Sequence, residues 1–329
     1  SAMLWRDGTH TRLCSTAPPP QPPGVVNLEE EVSQHLLNQA ELLGEIGNLE
    51  GQVSVLEKLL TRQLQLHGTE HEATTRTIRL LAGARAQQGQ RDQALQLLTR
   101  ALATATTAFG ETHELTAELE LDVALVYRDN GNEDKAAELL EQVVAKMRGV
   151  NHPMLASALH DLGKLLVARS STDEGIALLE DALRLLTSGP QHPPRTVLIS
   201  TLTSLADADY VRGRLESSRR HLAEAAAVVR SDLSDSNPLF YEVLHRMGVV
   251  YQRQGRDMDA IPALQRVVEL KSEALGRVHP STALSIAALG LSLYRSGRGA
   301  EGRAAGEEAV ELCTQALGAD HKSTQGLRE

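Results

Sequence analysis

The sequence predicts an all-α protein, a solenoid of antiparallel helix hairpins, because two markers recur about every 42 residues. The first marker is a histidine, replaced once by asparagine, and its copies are His71, His113, His152, His192, Asn237, His279 and His321. The second marker is a small residue half a repeat away, and its copies are Gly47, Gly89, Gly131, Ser170, Gly213, Gly255 and Gly297. Two independent markers that keep one period are the signature of a repeat array.

Residues 1–27 are predicted to be a flexible, proline-rich N-terminal tail, and residues 28–329 the solenoid. The tail has no helical period, and the run Pro18-Pro19-Pro20-Gln21-Pro22-Pro23 favours an extended, polyproline-like conformation. Its first residues, Ser1-Ala2-Met3, resemble a cloning remnant. Two other interpretations stay open. One takes the two arginines and the single acidic residue of the tail as the end of an organelle transit peptide, and the other places the tail in a groove of its own chain.

Residues 28–67 are predicted to form a degenerate first hairpin, with helices near 29–46 and 50–66 and a turn at Gly47. A coiled coil is the competing interpretation, because apolar residues alternate by four and three at Leu42, Ile46, Leu49, Val53, Leu56 and Leu60. Glycines inside this stretch each cost up to about 1 kcal/mol in a helix interior. We favour the hairpin, since Gly47 is in phase with the later turns and a terminal repeat often departs from the pattern.

From His71 onward each unit follows one pattern, which the fifth unit shows. An apolar stripe runs from Leu244 to Tyr251, Gly255 ends the first helix, and Asp257 is predicted to cap the second. Pro262 falls early in that second helix and predicts a late start or a kink. Small residues are predicted where two helices approach closely, at Gly248 and Ala260, Ala82 and Ala94, Ala124 and Ala136, Gly163 and Gly175, Ala206 and Ser218, and Gly290 and Gly302. Prolines that need no amide hydrogen are predicted to begin first helices, at Pro153, Pro193, Pro238 and Pro280.

The order Leu, Gly or Ala, Tyr, Gly, Ala, Leu, Ala at these positions resembles the tetratricopeptide repeat. The 42-residue unit with the joint Leu275-Gly276-Arg277-Val278-His279-Pro280 is similar to the subclass found in kinesin light chains. The resemblance covers about residues 68–321 well and 28–67 poorly. It implies about seven hairpins in a right-handed superhelix, first helices on the concave side, and a function in binding proteins or peptides.

The resemblance also implies which positions of the first helices face a ligand in the concave groove. Transferred to this chain, they supply the candidate binding residues Arg76, Arg79, Arg128, His160, Lys164, Thr203, Asp207, Tyr210, His245, Gln252, Arg253, Tyr294 and Arg295. Six residues at these positions carry a positive charge, and four carry a negative one, namely Glu118, Asp129, Asp207 and Glu242. We therefore expect a modestly cationic groove that binds an acidic segment with an apolar anchor. The alternative is a mixed, solvated face.

Composition argues against several other functions. The net charge of −10 and the aromatic content of 2% disfavour nucleic acid, because phosphates are repelled and base-stacking side chains are scarce. The two cysteines, Cys14 and Cys313, lack metal-ligand spacing and favour a reducing compartment. We therefore expect a cytoplasmic protein, or a mitochondrial one if the tail is a transit peptide. No apolar run approaches the roughly 18 residues that span a bilayer.

The motifs that suggest chemistry have structural explanations. The regular histidines are separated by two helices per repeat, too far to converge on one zinc ion, and we expect neither metal nor cofactor. Residues 297–302 match G-x-G-x-x-G, but a helical stripe precedes them and no βαβ pattern surrounds them. We predict a non-catalytic adaptor, scaffold or assembly factor. The alternatives are an architectural subunit that uses its convex surface, and a regulatory domain of a larger enzyme or signalling protein.

Overall fold

The computed structural model describes residues 28–150, 152–188, 195–232 and 237–328. These ranges form fifteen α-helices and no strand, which confirms the all-α prediction. The helices are α1 Leu28–Glu45, α2 Leu49–His67, α3 Glu72–Gln87, α4 Arg91–Phe109, α5 Glu114–Asp129, α6 Glu133–Val150, α7 Leu155–Ala168, α8 Thr172–Ser188, α9 Arg195–Val211, α10 Leu215–Asp232, α11 Pro238–Arg253, α12 Asp257–Leu275, α13 Pro280–Arg295, α14 Gly299–Leu317 and α15 Lys322–Arg328. The predicted tail, the marker His192 and Pro193 lie outside the described residues.

Each helix packs against the next one in the chain, so α1 to α14 form seven hairpins and α15 begins after the last joint. Alanine and leucine fill the space between helices, as in the second hairpin, where Ala82, Ala94 and Leu98 are almost completely buried. First helices, which carry the odd numbers, also contact each other across hairpins: α3 contacts α5, α7 contacts α9, and α11 contacts α13. This stacking places the first helices along one face, which we call the concave surface.

The first hairpin has the predicted form. α1 ends at Glu45, Gly47 turns the chain, and α2 begins at Leu49, so no continuous coiled-coil helix runs through this stretch. Two residues of the apolar series, Leu42 and Ile46, are left 61% and 75% exposed. The coiled-coil interpretation is therefore wrong, because the turn interrupts the seam that the heptad spacing suggests.

The hairpins turn at the predicted small residues, which have a left-handed backbone. Gly255 has a φ of 71°, and a Cβ added there would meet no atom within 4 Å. The backbone conformation, and not crowding, therefore favours glycine at this turn. The turn between α7 and α8 has Ser170 at a φ of 69°, a region that residues other than glycine seldom adopt.

The histidine marker caps the first helices, as predicted. Its Nδ1 accepts a hydrogen bond from the amide two residues later, at 3.2 Å in His71, 3.3 Å in His113, and 3.2 Å in His279 and His321. Asn237 makes the same bond through Oδ1 at 3.0 Å. At four joints a threonine Oγ1 also donates to the carbonyl oxygen of the glycine six residues earlier, in Thr74, Thr116, Thr282 and Thr324. Sequence reasoning did not identify this second bond.

Glycine is required in two hairpins, where the two helices approach most closely. A Cβ on Gly302 of α14 would lie 2.7 Å from the carbonyl oxygen of Gly290 and 2.6 Å from the backbone nitrogen of Tyr294, both in α13. Gly175 of α8 approaches Gly163 of α7 in the same way, with the added Cβ 2.6 Å from its carbonyl oxygen. The prediction of close approach at small residues is confirmed at these two pairs.

Two details of the fifth unit differ from the prediction. Asp257 does not cap α12: it is the first helical residue, and Arg256 stands at the cap without a side-chain hydrogen bond. The late start expected from Pro262 is also wrong, because α12 begins at Asp257 and contains the proline as its sixth residue. Near a helix start proline removes only one backbone bond, to the carbonyl of Met258, a residue that is 70% exposed.

The prediction that prolines begin the first helices is confirmed at two positions and is wrong at Pro153. Pro238 and Pro280 are the first residues of α11 and α13. Pro153 instead precedes the cap residue Met154 of α7 by one position, in a turn held by a bond from the Met154 amide to His152 Nδ1 at 3.1 Å.

Candidate functional site

The concave surface begins with a cleft between α1, α2 and α3, which we call the N-terminal cleft. Its volume is about 690 Å³. Carboxylates of α1 line it, from Glu29, Glu30, Glu31 and Glu41, together with the apolar side chains of Leu37, Leu66 and Leu80. The predicted groove residue Arg76 lies here, paired with Glu72 at 3.5 Å between Nη2 and Oε2. The expectation of a cationic groove was based on residues that did not include α1. Because the glutamates of α1 outnumber Arg76, the groove is not cationic at this end.

Arg79, the next predicted cation, forms ion pairs with a neighbouring helix. Its guanidinium contacts the carboxylates of Glu118 and Asp122 on α5. Burial raises the pKa of Asp122 above its ordinary value, although the charge and hydrogen bond of Arg79 act in the opposite direction. This cluster fixes α3 against α5 and leaves no free positive charge of Arg79 for an acidic ligand.

The middle of the concave surface holds a pair of groups with opposite pKa shifts. His160 of α7 is buried, and its Nδ1 lies 3.2 Å from Thr201 Oγ1 of α9. Burial, aided by the positive charges of Lys164 and Arg128, lowers the pKa of His160 to about 4. Burial raises the pKa of Asp161 to about 6 against the same two charges. Arg128 also bonds Asp129 Oδ1 through its Nε at 3.0 Å, so this region is internally compensated.

Farther along, α9 and α11 are joined by an ion pair. Arg246 Nε lies 3.2 Å from both carboxylate oxygens of the predicted residue Asp207, and Arg246 Nη1 lies 3.4 Å from Glu242 Oε2. Thr203, another predicted residue, donates its hydroxyl to the Ile199 carbonyl at 3.0 Å within its own helix. Arg246 was not among the predicted site residues, because the prediction considered only the ligand-facing repeat positions. Its ion pairs with Asp207 and Glu242 cannot be recognised from those positions.

His245 does not contribute a charge, although it lies on α11 as expected. Burial lowers its pKa, and the nearby charge of Lys271 adds to the effect. Lys271 reaches in from α12, almost completely buried, with Nζ 3.4 Å from Glu242 Oε1 and 2.9 Å from Ser281 Oγ. A second-helix lysine at this place could not be found from first-helix positions alone.

Gln252 and Arg253 connect α11 to its two neighbouring first helices. Gln252 Nε2 donates to the Ala288 carbonyl at 2.7 Å and to Ser292 Oγ at 2.8 Å, both on α13. The Arg253 guanidinium lies 4.4 Å from the ring centroid of Tyr210 on α9, and its Nη1 donates to the Tyr210 carbonyl at 2.9 Å. Because these partners are neutral, the exposed Arg253 keeps its full positive charge.

The last complete first helix, α13, presents an apolar stripe. Leu284 and Leu291 are each 43% exposed, and the predicted residue Tyr294 is 55% exposed. Arg295, at the end of the same helix, is exposed and has no ion pair or side-chain hydrogen bond within the described part of the chain. We call these four residues together with Arg253 the C-terminal surface. The two leucines were missed, although the repeat positions they occupy had been identified.

Tetratricopeptide repeat models match residues 77–148, 115–188, 240–298 and 282–322. The chain belongs to the tetratricopeptide repeat family. It is similar to the protein kinesin light chain-related 2 of Arabidopsis thaliana, with 26% identity over 223 residues, which is 66% of this chain. The chain spans 33%, about a third, of the length of that relative.

Two solved structures show the same fold. The kinesin light chain repeats of Podospora anserina, described as nearly identical tetratricopeptide-like repeats, align with a TM-score of 0.51 at 24% identity, covering 60% of this chain and 95% of that one. A signal transduction ATPase from Pyrococcus horikoshii with a tetratricopeptide repeat sensor aligns with a TM-score of 0.68 at 13% identity, covering 91% of this chain and 43% of that one. At such identities the likeness concerns the fold alone.

The features of the sequence that suggested chemistry or a membrane can be compared with the described structure. Within the described ranges, no group of three or more His, Cys, Asp or Glu residues is placed to hold a metal ion. Cys313 is buried, with its Sγ 3.5 Å from Thr324 Oγ1. The motif at 297–302 spans the turn after α13 and the first four residues of α14, so a helix precedes it. None of the described helices combines the length and the apolar character needed to cross a membrane. Repeats of this family generally mediate protein–protein interactions or scaffolding.

Proposed function

We propose that the chain is a non-catalytic interaction module that holds a segment of another protein on its concave surface. The segment places an apolar or aromatic anchor on α13 and acidic residues near Arg253 and Arg295. The chain thereby acts as an adaptor, scaffold or assembly factor. Repeats of this family generally mediate protein–protein interactions or scaffolding.

The exposed stripe of α13 is the observation that supports this proposal. Leu284, Leu291 and Tyr294 lie seven and then three residues apart, so they share one face of the helix. On α11 the corresponding positions hold Glu242 and Val249, with Gln252 bonded to α13. Clustered apolar side chains that stay exposed mark interaction sites more often than scattered ones do, and a few such contacts usually dominate affinity.

The two arginines beside the stripe explain the acidic part of the segment. Arg253 contacts only neutral groups of Tyr210, and Arg295 has no partner among the described residues. A guanidinium can bind a carboxylate through two parallel hydrogen bonds. Such contacts on the rim of a site accelerate association and set orientation, and they weaken as salt screens them.

A selection experiment with matched charge variants tests the proposal. Twenty-residue random peptides displayed on phage are selected against the chain, and the binders are synthesised and measured by fluorescence anisotropy. We expect binders with acidic residues around a large apolar side chain. Arg253→Glu with Arg295→Glu should weaken their binding more than tenfold, whereas Arg266→Glu with Arg303→Glu on α12 and α14 should leave it within a factor of two.

Two results would contradict the proposal. If both double variants weaken binding equally, the arginines act only through net charge. If neither variant nor added salt affects the binders, the peptide lies elsewhere, and an architectural role for the convex surface replaces the groove model. Thermal unfolding should show that each variant stays folded, because all four arginines are exposed and lose only surface contacts, those of Arg253 with Tyr210 and of Arg266 with Glu269.

A further inference from the structure

The N-terminal cleft has a chemistry opposite to that of the C-terminal surface. α1 carries five glutamates and no lysine or arginine. Within the described residues neither Glu30 nor Glu41 takes part in an ion pair. The cation of the cleft, Arg76, is already paired with Glu72 at 3.5 Å. A ligand group that enters here therefore meets an excess of negative charge.

A buried, unpartnered acceptor lies in the wall of the same cleft. Gln63 of α2 is only 7% exposed, and its Oε1 has no hydrogen-bond partner among the described residues. A buried acceptor without a partner costs about 1–3 kcal/mol, so a donor that reaches it is favoured. Lysine and arginine are the side chains that bring several N–H donors together with a positive charge.

We propose that the segment bound on the concave surface is bipolar, with a lysine or arginine in the N-terminal cleft and its acidic, apolar part on the C-terminal surface. This inference rests on the proposed function, and it adds a second site and an orientation to it. The apolar side chains of Leu37, Leu66 and Leu80 suit the methylene stem of such a residue, while the carboxylates of α1 bind its charged head.

The distance between the two sites fixes the spacing in the segment. Stacked helices lie about 8–10 Å apart, and five steps between first helices separate the α1–α3 cleft from the α11–α13 surface. The separation is therefore about 40–50 Å. An extended chain covers about 3.3–3.6 Å per residue, so about 11–15 residues separate the basic group from the acidic part.

The surface between the two sites has few charged groups that are free to bind the segment. Arg79 is bound to Glu118 and Asp122, and Arg246 to Asp207. These charges are satisfied within the protein, and of the predicted cations in the middle region Lys164 is the one that is exposed without an ion pair in the described residues. Charge recognition is therefore weaker in the middle than at the two ends, where several charged groups lack an ion pair.

Extended versions of a selected acidic, apolar peptide test the inference. The peptide is compared with forms that carry Lys-Arg-Lys at the end of a proline-rich linker of about 15 residues, which extends to about 45 Å, placed at either terminus, and with the same forms ending in three glutamates. Because the linker makes the second contact intramolecular, we expect one of the Lys-Arg-Lys forms to bind about tenfold more tightly than the parent. The glutamate form in the same orientation should bind no better than the parent.

Variants of the chain assign this gain to the cleft. Glu30→Gln with Glu41→Gln should reduce the tenfold gain to less than twofold without changing the affinity of the short peptide. Glu50→Gln with Glu70→Gln, an equal charge change outside the cleft, should keep the gain. If the basic extension adds nothing, or if both double variants reduce the gain equally, the bipolar model is wrong while the C-terminal site stands. If no acidic, apolar binder is selected at all, the proposed function fails and this inference fails with it.

Discussion

The two ends of the concave surface share one backbone and differ in chemistry. At the N-terminal end, Gln34, Leu37 and Glu41 of α1 lie 13, 10 and 6 residues before the turn glycine. At the C-terminal end, the same positions before Gly297 hold Leu284, Ala287 and Leu291. The first set forms an acidic cleft, and the second an apolar stripe beside unpaired arginines.

This difference shows how a repeat array separates folding from binding. Turn glycines, capping residues and the small residues between helices recur because each hairpin needs the same backbone geometry. Positions on the open face of the first helices carry no such requirement. Their side chains can therefore change along the array without loss of the fold, which is how one scaffold presents two unlike sites.

The largest expected effect concerns the packing that supports the C-terminal surface. Gly302→Ala places a Cβ 2.6 Å from the Tyr294 backbone nitrogen, so α13 and α14 must separate. We expect a loss of about 3 kcal/mol in the free energy of unfolding, measured by urea denaturation, together with weaker binding of acidic, apolar peptides. Gly306→Ala on the same helix is the control, since its Cβ meets no atom within 4 Å and alanine should stabilise the helix slightly. Equal stability of the two variants would show that the close approach is not required.

The second prediction concerns the middle region, where two pKa shifts oppose each other. His160 has a folded pKa of about 4 against 6.5, so acidification below pH 6.5 removes stability as the unfolded chain takes up the proton first. Asp161 has a folded pKa of about 6 against 3.8, so acidification below pH 6 adds stability. In the parent chain the two effects nearly cancel.

Substitutions should uncover each effect. From pH 7 to pH 4.5, His160→Gln should gain about 2 kcal/mol of unfolding free energy relative to the parent, and Asp161→Asn should lose about as much. Urea denaturation at three pH values measures both. If the free energy of unfolding changes with pH in the same direction in both variants, the pKa values of His160 and Asp161 are not shifted in opposite directions. Their effects on stability then do not cancel in the parent chain.

The third prediction compares apolar side chains at the two ends. Leu291→Ala should weaken binding of an acidic, apolar peptide about tenfold, because it removes part of the anchor site. Leu80→Ala is the matched control, since Leu80 is 42% exposed and Leu291 is 43% exposed, but Leu80 lines the acidic cleft. Fluorescence anisotropy should show less than a twofold change for the control. Similar losses in both variants would mean that the anchor has no preferred end.

The fold could be predicted from the sequence because its markers carry local backbone requirements. Gly255 marks a left-handed turn and His279 a helix cap, and each can be recognised without knowing what packs against it. The prediction went wrong at Asp257, where an acidic residue after a turn was taken for a cap although it begins the helix. Boundaries depend on hydrogen bonds that composition alone does not specify.

The site could be predicted only in part, because its properties depend on contacts between helices about 40 residues apart. Arg79 counts as a free cation in the sequence, yet it is bound to Asp122 of the next first helix. His245 counts as a basic residue, yet burial beside Lys271 keeps it neutral. The N-terminal cleft was missed altogether, since the first hairpin departs from the repeat and was treated as a cap.

The smallest expected effect tests whether the two ends really share one scaffold. His71 at the N-terminal end and His279 at the C-terminal end each accept one amide hydrogen bond at 3.2 Å. His279→Ala should therefore cost about 1 kcal/mol, and His279→Asn close to nothing, because Asn237 makes the same bond at its own joint. His71→Ala should cost a few tenths of a kcal/mol more, since its ring also stacks on His67 with the centroids 4.3 Å apart. Urea denaturation of the four single variants, including His71→Asn, measures these differences. A cost several times larger at one joint than at the other would mean that the ends differ in backbone support as well as in side chains, and the separation of folding from binding would not hold.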